Sequence, residues 1–190
     1  AGTDYGDDAQ FFLGESYFLD GQYLLAITEY ENLTRKMAYS PFFEKSRFRI
    51  CEAYRIESPD YYNDQSFTEK ALERYKEFLD DFPDSEYSQT VTESMSILRN
   101  KLAKKLYQTG VLYLKMDEFE PARMSFNNAL DKYYDTDIIG LVHVGIIKSF
   151  IQEKNIDRAK EYWVNQGQTH IIREELIEEV DQLFIKAEKK

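Results

Sequence analysis

The stretch from Phe11 to Leu33, "FFLGESYFLDGQYLLAITEYENL", sets small and aromatic residues at fixed distances along two helical segments. Gly14 lies twelve residues before Ala26, and a tyrosine follows each of them, after three and four residues respectively. A side chain larger than methyl at either position would hold two packed helices apart. The short "LDGQ" turn between the segments forces them to be antiparallel neighbours. The stretch therefore predicts a closely packed antiparallel helix pair.

This spacing recurs along the chain and matches the 34-residue tetratricopeptide pattern. A second complete copy consists of Gly110, Tyr113, Ala122 and Phe126, followed by Ala129. A partial copy contains Ala71, Tyr75 and Phe78, followed by Pro83. A degenerate copy keeps Phe150, Ala159 and Trp163, with Ile147 at the small position. Together the copies predict an all-α, tetratricopeptide-like right-handed helical-repeat solenoid of about four helix pairs plus a C-terminal capping helix.

Apolar periodicity predicts helices at residues 7–19, 22–37, 43–57, 67–82, 85–116, 119–133, 138–152, 155–166 and 169–188. In the second repeat Cys51 takes the small position, but Ala71 follows after twenty residues instead of twelve. We therefore predict N-terminal repeats over residues 1–83 with an insertion at 58–67. A long shared helix over 84–116 and C-terminal repeats with the capping helix over 117–190 complete the expected organisation.

Charge and composition narrow the possible functions. The net charge of -11 disfavours nucleic acids and anionic membrane surfaces as partners. The chain has one cysteine, Cys51, in an apolar helical pattern typical of a buried thiol, and two histidines without other ligands at metal-binding spacing. Its acidic pairs lie at helix starts or on charged helix faces, and phosphate-binding glycine loops are absent from the sequence. We expect no enzymatic activity, no metal and no cofactor.

The aromatic content, 13 Phe, 15 Tyr and one Trp, favours a protein-binding scaffold. In such a solenoid the first helices of the pairs line a concave face. Counting from the small residue of each repeat, we predict a peptide-binding set on this face: Phe11, Glu15, Phe18, Phe48, Glu52 and Arg55. Core packing is an equally good interpretation of Phe11 and Phe48.

The insertion carries a family resemblance. The stretch "SPDYYNDQSFTEKALERYKEFLDDFPDSEYSQ", from Ser58 to Gln89, resembles the BamD family of tetratricopeptide lipoproteins, in the form seen in Bacteroidota-like lineages. The order of Ser58, Pro59, a tyrosine, Asp64, Gln65, Thr68, Lys70 and Ala71 carries the resemblance, which covers roughly residues 8 to 136.

This resemblance implies a non-enzymatic scaffold of the outer-membrane β-barrel assembly machinery on the periplasmic face of the outer membrane. The C-terminal half would hold the central barrel subunit, and the N-terminal face would receive C-terminal segments of unfolded outer-membrane proteins. Family members also carry a lipidated N-terminal cysteine and a further helix pair, which this sequence does not show. Membrane contact is thus expected only through that lipid.

Two alternatives remain open at this point. Another periplasmic tetratricopeptide adaptor, such as the coordinator of the Tol-Pal envelope system, shares the repeats. Within the insertion, Tyr61 and Tyr62 fit either a partner contact, because clustered tyrosines are common interface anchors, or an intramolecular lid over the second repeat.

Overall fold

A computed structural model describes residues 6–189. Residues 1–5 of the predicted N-terminal segment and residue 190 of the predicted C-terminal segment lie outside the described residues. The helices are α1 (Gly6–Leu19), α2 (Tyr23–Lys36), α3 (Phe43–Glu57), α4 (Ser66–Asp81), α5 (Ser88–Lys115), α6 (Phe119–Tyr133), α7 (Ile139–Gln152), α8 (Ile156–Tyr162), a π-helical segment (Trp163–Gly167), α9 (Gln168–His170) and α10 (Glu174–Glu188). No strand occurs among the described residues. The all-α helical-repeat fold is confirmed, and the predicted helix bounds hold to within three residues as far as Gln152.

The tight turns inside the helix pairs share one backbone motif, a residue with a positive φ angle. Gly21, Asp117 and Lys154 have positive φ angles of 75°, 58° and 64°, and each lies seven residues after the small position of its repeat. After each of them, the next N–H donates to a carbonyl five residues earlier, a motif that ends a helix and reverses the chain. Ser58 occupies this position in the second repeat but is extended, with φ -66° and ψ 114°. The insertion therefore replaces the tight turn.

The chain forms two compact units, divided between Leu98 and Arg99 within α5. In the first unit, one core cluster joins α1, α2 and α3, and a second joins α3, α4 and the first half of α5. A Cβ added to Gly14 would come within 2.6 Å of the Tyr30 ring, far inside contact distance. This is the close helix approach that the small residue predicts.

In the second unit, the ring of Phe126 on α6 is completely buried between two glycines. A Cβ on Gly110 of α5 would lie 2.7 Å from its Cδ1, and a Cβ on Gly145 of α7 would lie 2.7 Å from its Cζ. Gly145 is thus a second small residue against the Phe126 ring, and the repeat pattern did not identify it. Ile147, at the small position of the fourth repeat, is buried in the same core cluster as Ala159.

Three helix boundaries differ from the predictions by three residues or more: the start of α5, the end of α8 and the start of α10. The long helix begins at Ser88 because Ser85 Oγ accepts the N–H of Tyr87 in a turn that follows Pro83. The π-helical segment brings Gly167 against the Trp163 ring, and the chain then extends, so the last helix begins at Glu174 and not at residue 169. In this extended stretch Ile171 is buried, whereas Ile172 is exposed.

We searched the helices of residues 6–189 for membrane spans. None of them combines the length and the apolar character that crossing a bilayer requires.

Candidate functional site

In the first unit, charged and aromatic side chains of α1 and α3 form a connected surface, which we call the charged face: Glu15, Phe18, Arg49, Glu52 and Arg55. Arg49 donates to both carboxylate oxygens of Glu15, from Nε at 2.7 Å and from Nη2 at 2.9 Å. Its guanidinium also lies 4.7 Å from the centre of the Phe18 ring. The hydroxyl of the buried Tyr30 donates to Glu15 at 2.5 Å. These contacts fix the carboxylate, the guanidinium and the ring in one arrangement.

A similar arrangement occurs one repeat later. Arg55 donates to both oxygens of Glu52, at 3.0 and 2.6 Å, and the hydroxyl of the buried Tyr75 donates to the same carboxylate. Burial acts to raise the pKa of Glu52, but the bonds from Arg55 and Tyr75 outweigh it and keep this pKa below its usual range. The charge of Arg49 acts in the same direction, which links the two arrangements. Glu52 is therefore an ionised, preorganised acceptor.

The charged face combines fixed ion pairs, accessible donors and apolar surface. Bidentate arginine–carboxylate pairs hold their side chains in fixed geometry, so little conformational entropy remains to be lost on binding. The side chain of Arg55 is 36% exposed, so its donors are within reach of a ligand. Phe18 adds half-buried apolar surface beside Arg49 and contacts Tyr23 edge-on at 5.2 Å. The face can therefore accept carboxylate or carbonyl oxygens next to an apolar side chain.

The structure places the predicted peptide-binding residues in two groups. Glu15, Phe18, Glu52 and Arg55 share the charged face. Phe11 is only 1% exposed and stacks on Phe42 at 4.5 Å. Phe48 stacks on Tyr87 at 4.2 Å and contacts the second core cluster. We leave both phenylalanines out of the proposed surface because their rings already pack against the protein's own core.

Sequence reasoning did not assign Arg49, Tyr30 or Tyr75 to this site. Arg49 lies 34 residues after Glu15, the length of one repeat, and this interval is the signal that could have paired them. The two tyrosines belong to the repeat pattern, and their rings are buried in the two core clusters of the first unit. Their hydroxyl groups have the additional role of holding the carboxylates.

The loop of residues 58–65 is held by the buried side chain of Gln65. Its Nε2 donates to the carbonyls of Asp60 and Asn63, at 2.8 and 3.1 Å, and its Oε1 accepts from the Thr68 hydroxyl at 2.8 Å. Thr68 in turn contacts the hydroxyl of Ser58 at 2.5 Å. Both ends of the loop are thus fixed to the start of α4. Tyr61 is half-buried, whereas Tyr62 is 68% exposed.

Comparison with protein families gives one match. Residues 3–161 match the YfiO family, described as outer membrane lipoproteins. The chain belongs to the YfiO family. This family includes BamD, so the predicted resemblance is confirmed at the level of the family, and membership implies association with the outer membrane. A search of curated proteins returned no significant match.

In this YfiO-family chain, the Cys51 thiol and the His143 imidazole are the groups most suited to catalysis, and both are buried. Burial raises the pKa of the Cys51 thiol to about 12, so the thiol is protonated and unreactive at neutral pH. His143 is buried, and its Nδ1 lies 2.7 Å from the Tyr162 hydroxyl. Burial, with the charge of His170, lowers the pKa of His143 to about 4. Both residues therefore carry no charge inside their cores at neutral pH.

Proposed function

We propose that this YfiO-family chain is a non-enzymatic scaffold of the outer-membrane β-barrel assembly machinery. In this proposal it lies on the periplasmic face of the outer membrane, attached through an N-terminal lipid. The C-terminal unit binds the central barrel subunit, and the charged face of the N-terminal unit receives C-terminal segments of unfolded outer-membrane proteins. The family match over residues 3–161 is the observation that carries the proposal.

The charged face supports the peptide-binding part of this proposal. A C-terminal segment ends in a carboxylate, and the accessible Arg55 guanidinium is a matching donor. The Phe18 ring and the guanidinium stacked on it offer a platform for an apolar side chain of the same segment. Because Glu15 and Glu52 fix the two arginines, the platform exists before the ligand arrives.

Isolation of complexes tests the assembly role. The full-length lipidated protein, solubilised from envelope membranes with mild detergent, should copurify with the central barrel subunit. Recovery of only soluble periplasmic proteins, or of Tol-Pal components, would contradict the barrel-assembly function. The second result would favour the adaptor of another envelope system.

Peptide titration tests the charged face separately. The pair Phe18→Ala and Arg55→Ala should weaken binding of a fluorescent barrel C-terminal peptide about tenfold or more, as expected for central contact residues. The pair Leu24→Ala and Arg35→Ala is a matched control, because it removes an exposed leucine and an exposed arginine from α2. Equal affinity of the two double variants would remove the charged face from the proposal, provided that both melt at the wild-type temperature.

A further inference from the structure

The loop of residues 58–65 presents an aromatic ring and a carboxylate together. The rings of Tyr61 and Tyr62 meet edge to face, with their centres 5.4 Å apart. The Tyr62 hydroxyl donates to Asp60 Oδ2 at 3.0 Å, which keeps the exposed ring beside the exposed carboxylate. Since Gln65 holds the loop backbone at Asp60 and Asn63, this arrangement is built into the fold.

The same combination occurs elsewhere in the chain with an arginine in place. Among the residues that the structure describes, the guanidinium groups of three arginines lie 4.6 to 5.4 Å from the centre of an aromatic ring, and each also forms an ion pair with a carboxylate. These sets are Arg49 with Phe18 and Glu15, Arg99 with Tyr133 and Asp135, and Arg123 with Phe150 and Glu153. A planar guanidinium satisfies both groups at once, because it stacks through its face and donates through its edge.

At the loop, the ring and the carboxylate are present without the cation. Within residues 6–189, no lysine or arginine forms an ion pair with Asp60. The nearby Lys70 lies over the rings of Tyr54 and Phe67, at 5.9 and 5.6 Å, and so serves other aromatic side chains. The loop therefore has the ring and the carboxylate of the three sets described above but not their guanidinium group.

We propose that Asp60 and Tyr62 form a docking site for an arginine-bearing segment of a protein partner. The arginine stacks on the Tyr62 ring and donates to the carboxylate of Asp60, and Tyr61 supports the ring from the side. Exposed Asp64 lies two residues after Tyr62 and adds negative charge, which favours a basic segment and disfavours phosphate-bearing partners. The inference holds whichever envelope complex the chain serves.

Titration with a minimal probe tests the site. Acetyl-Gly-Arg-Gly-amide, added up to millimolar concentrations, should cause saturable NMR shifts in the backbone amides of residues 60–66. The citrulline peptide, which has the same shape without the charge, should cause none, and the lysine peptide should bind more weakly because its ammonium cannot stack and donate in the same way. Tyr62→Ala and Asp60→Asn should each weaken arginine binding about two- to fivefold.

A charge-matched variant separates the site from general attraction to an acidic protein. Asp181→Asn removes one exposed carboxylate from α10 and should leave arginine binding unchanged. The absence of saturable shifts in residues 60–66, equal binding of the citrulline peptide, or equal weakening by Asp181→Asn would each overturn the inference. The double change Tyr61→Ala and Tyr62→Ala should weaken arginine binding at least as much as Tyr62→Ala alone, at an unchanged melting temperature. A lowered melting temperature would instead assign the loop to covering its own repeat.

Discussion

The substitution Gly110→Ala tests the packing that holds the second unit together. The added methyl group would meet the Phe126 ring at 2.7 Å from Cδ1, and this fully buried ring has little room to move because it also lies against Gly145. Overpacking of this kind costs about 1 to 3 kcal/mol. Replacing a helical glycine by alanine contributes about 1 kcal/mol in the opposite direction. Since the ring is fully buried and close to both glycines, we expect the upper end of the cost and a net loss of about 2 kcal/mol.

The same substitution in the Phe126→Leu variant separates the packing cost from the helix propensity of alanine. In Phe126→Leu the ring is absent, so the methyl group of Gly110→Ala enters vacated space and the propensity gain remains. Gly110→Ala should therefore stabilise this background by up to about 1 kcal/mol. The two effects differ in sign, which gives a coupling free energy of about 3 kcal/mol, at the high end for residues in contact.

Urea unfolding followed by tryptophan fluorescence is the appropriate assay. Trp163 is the only tryptophan and lies in the second unit, so its signal reports the unit that contains Phe126. Circular dichroism on the same samples shows whether the first unit unfolds together with it. If Gly110→Ala changes the free energy of unfolding equally in both backgrounds, the Phe126 ring is not the obstacle and the packing argument fails.

Three further predictions concern other parts of the chain. His143 has a pKa of about 4 when folded and an ordinary value of 6.5, so the unfolded chain takes up its proton first. Stability of the second unit should fall by about 3 kcal/mol as the pH drops from 6.5 to 4, and a pH slope that survives in His143→Gln would contradict this origin. Gln65→Met should speed amide hydrogen exchange in residues 60–65, and unchanged exchange would mean that the loop is held by other contacts. Lys154→Gly should raise the free energy of unfolding by about 0.5 to 1 kcal/mol, because only glycine adopts its φ of 64° without strain; lower stability would refute this.

The spacing of small and aromatic residues predicted most of the fold because it reports local packing. Gly14 and Ala26 revealed a helix pair because the repeat places its two small residues twelve positions apart, and Gly14 does lie against Tyr30 of the second helix. Gly145 went unnoticed because its partner is Phe126 of the preceding pair, and periodicity does not show which neighbour a helix face meets. The break before Glu174 depends on Trp163 packing against Gly167, which has no strong sequence signal.

The site was less predictable for a related reason. Helix position predicted that Glu15, Glu52 and Arg55 share a face, because the repeat fixes the direction of each side chain. Helix position could not predict that Arg49 would form an ion pair with Glu15, since side-chain pairing depends on the distance between neighbouring helices. Likewise, the bond from the Ser66 N–H to Asp64 is a local one that short acidic side chains commonly form two residues on. The bonds of Gln65, which fix the loop, gave no comparable signal.

The position after the small residue differs between the two units and bears on how partners divide between them. In the first unit it is Glu15 and Glu52, both held by an arginine and a tyrosine. In the second unit it is Val111 and Lys148, and the lysine is bound to Glu179 at 2.6 Å. A ligand that matches fixed arginine–carboxylate pairs does not match an apolar side chain beside a lysine. This change of chemistry at one repeat position is the difference between the units on which the proposed separation of substrate segments from the barrel subunit would depend.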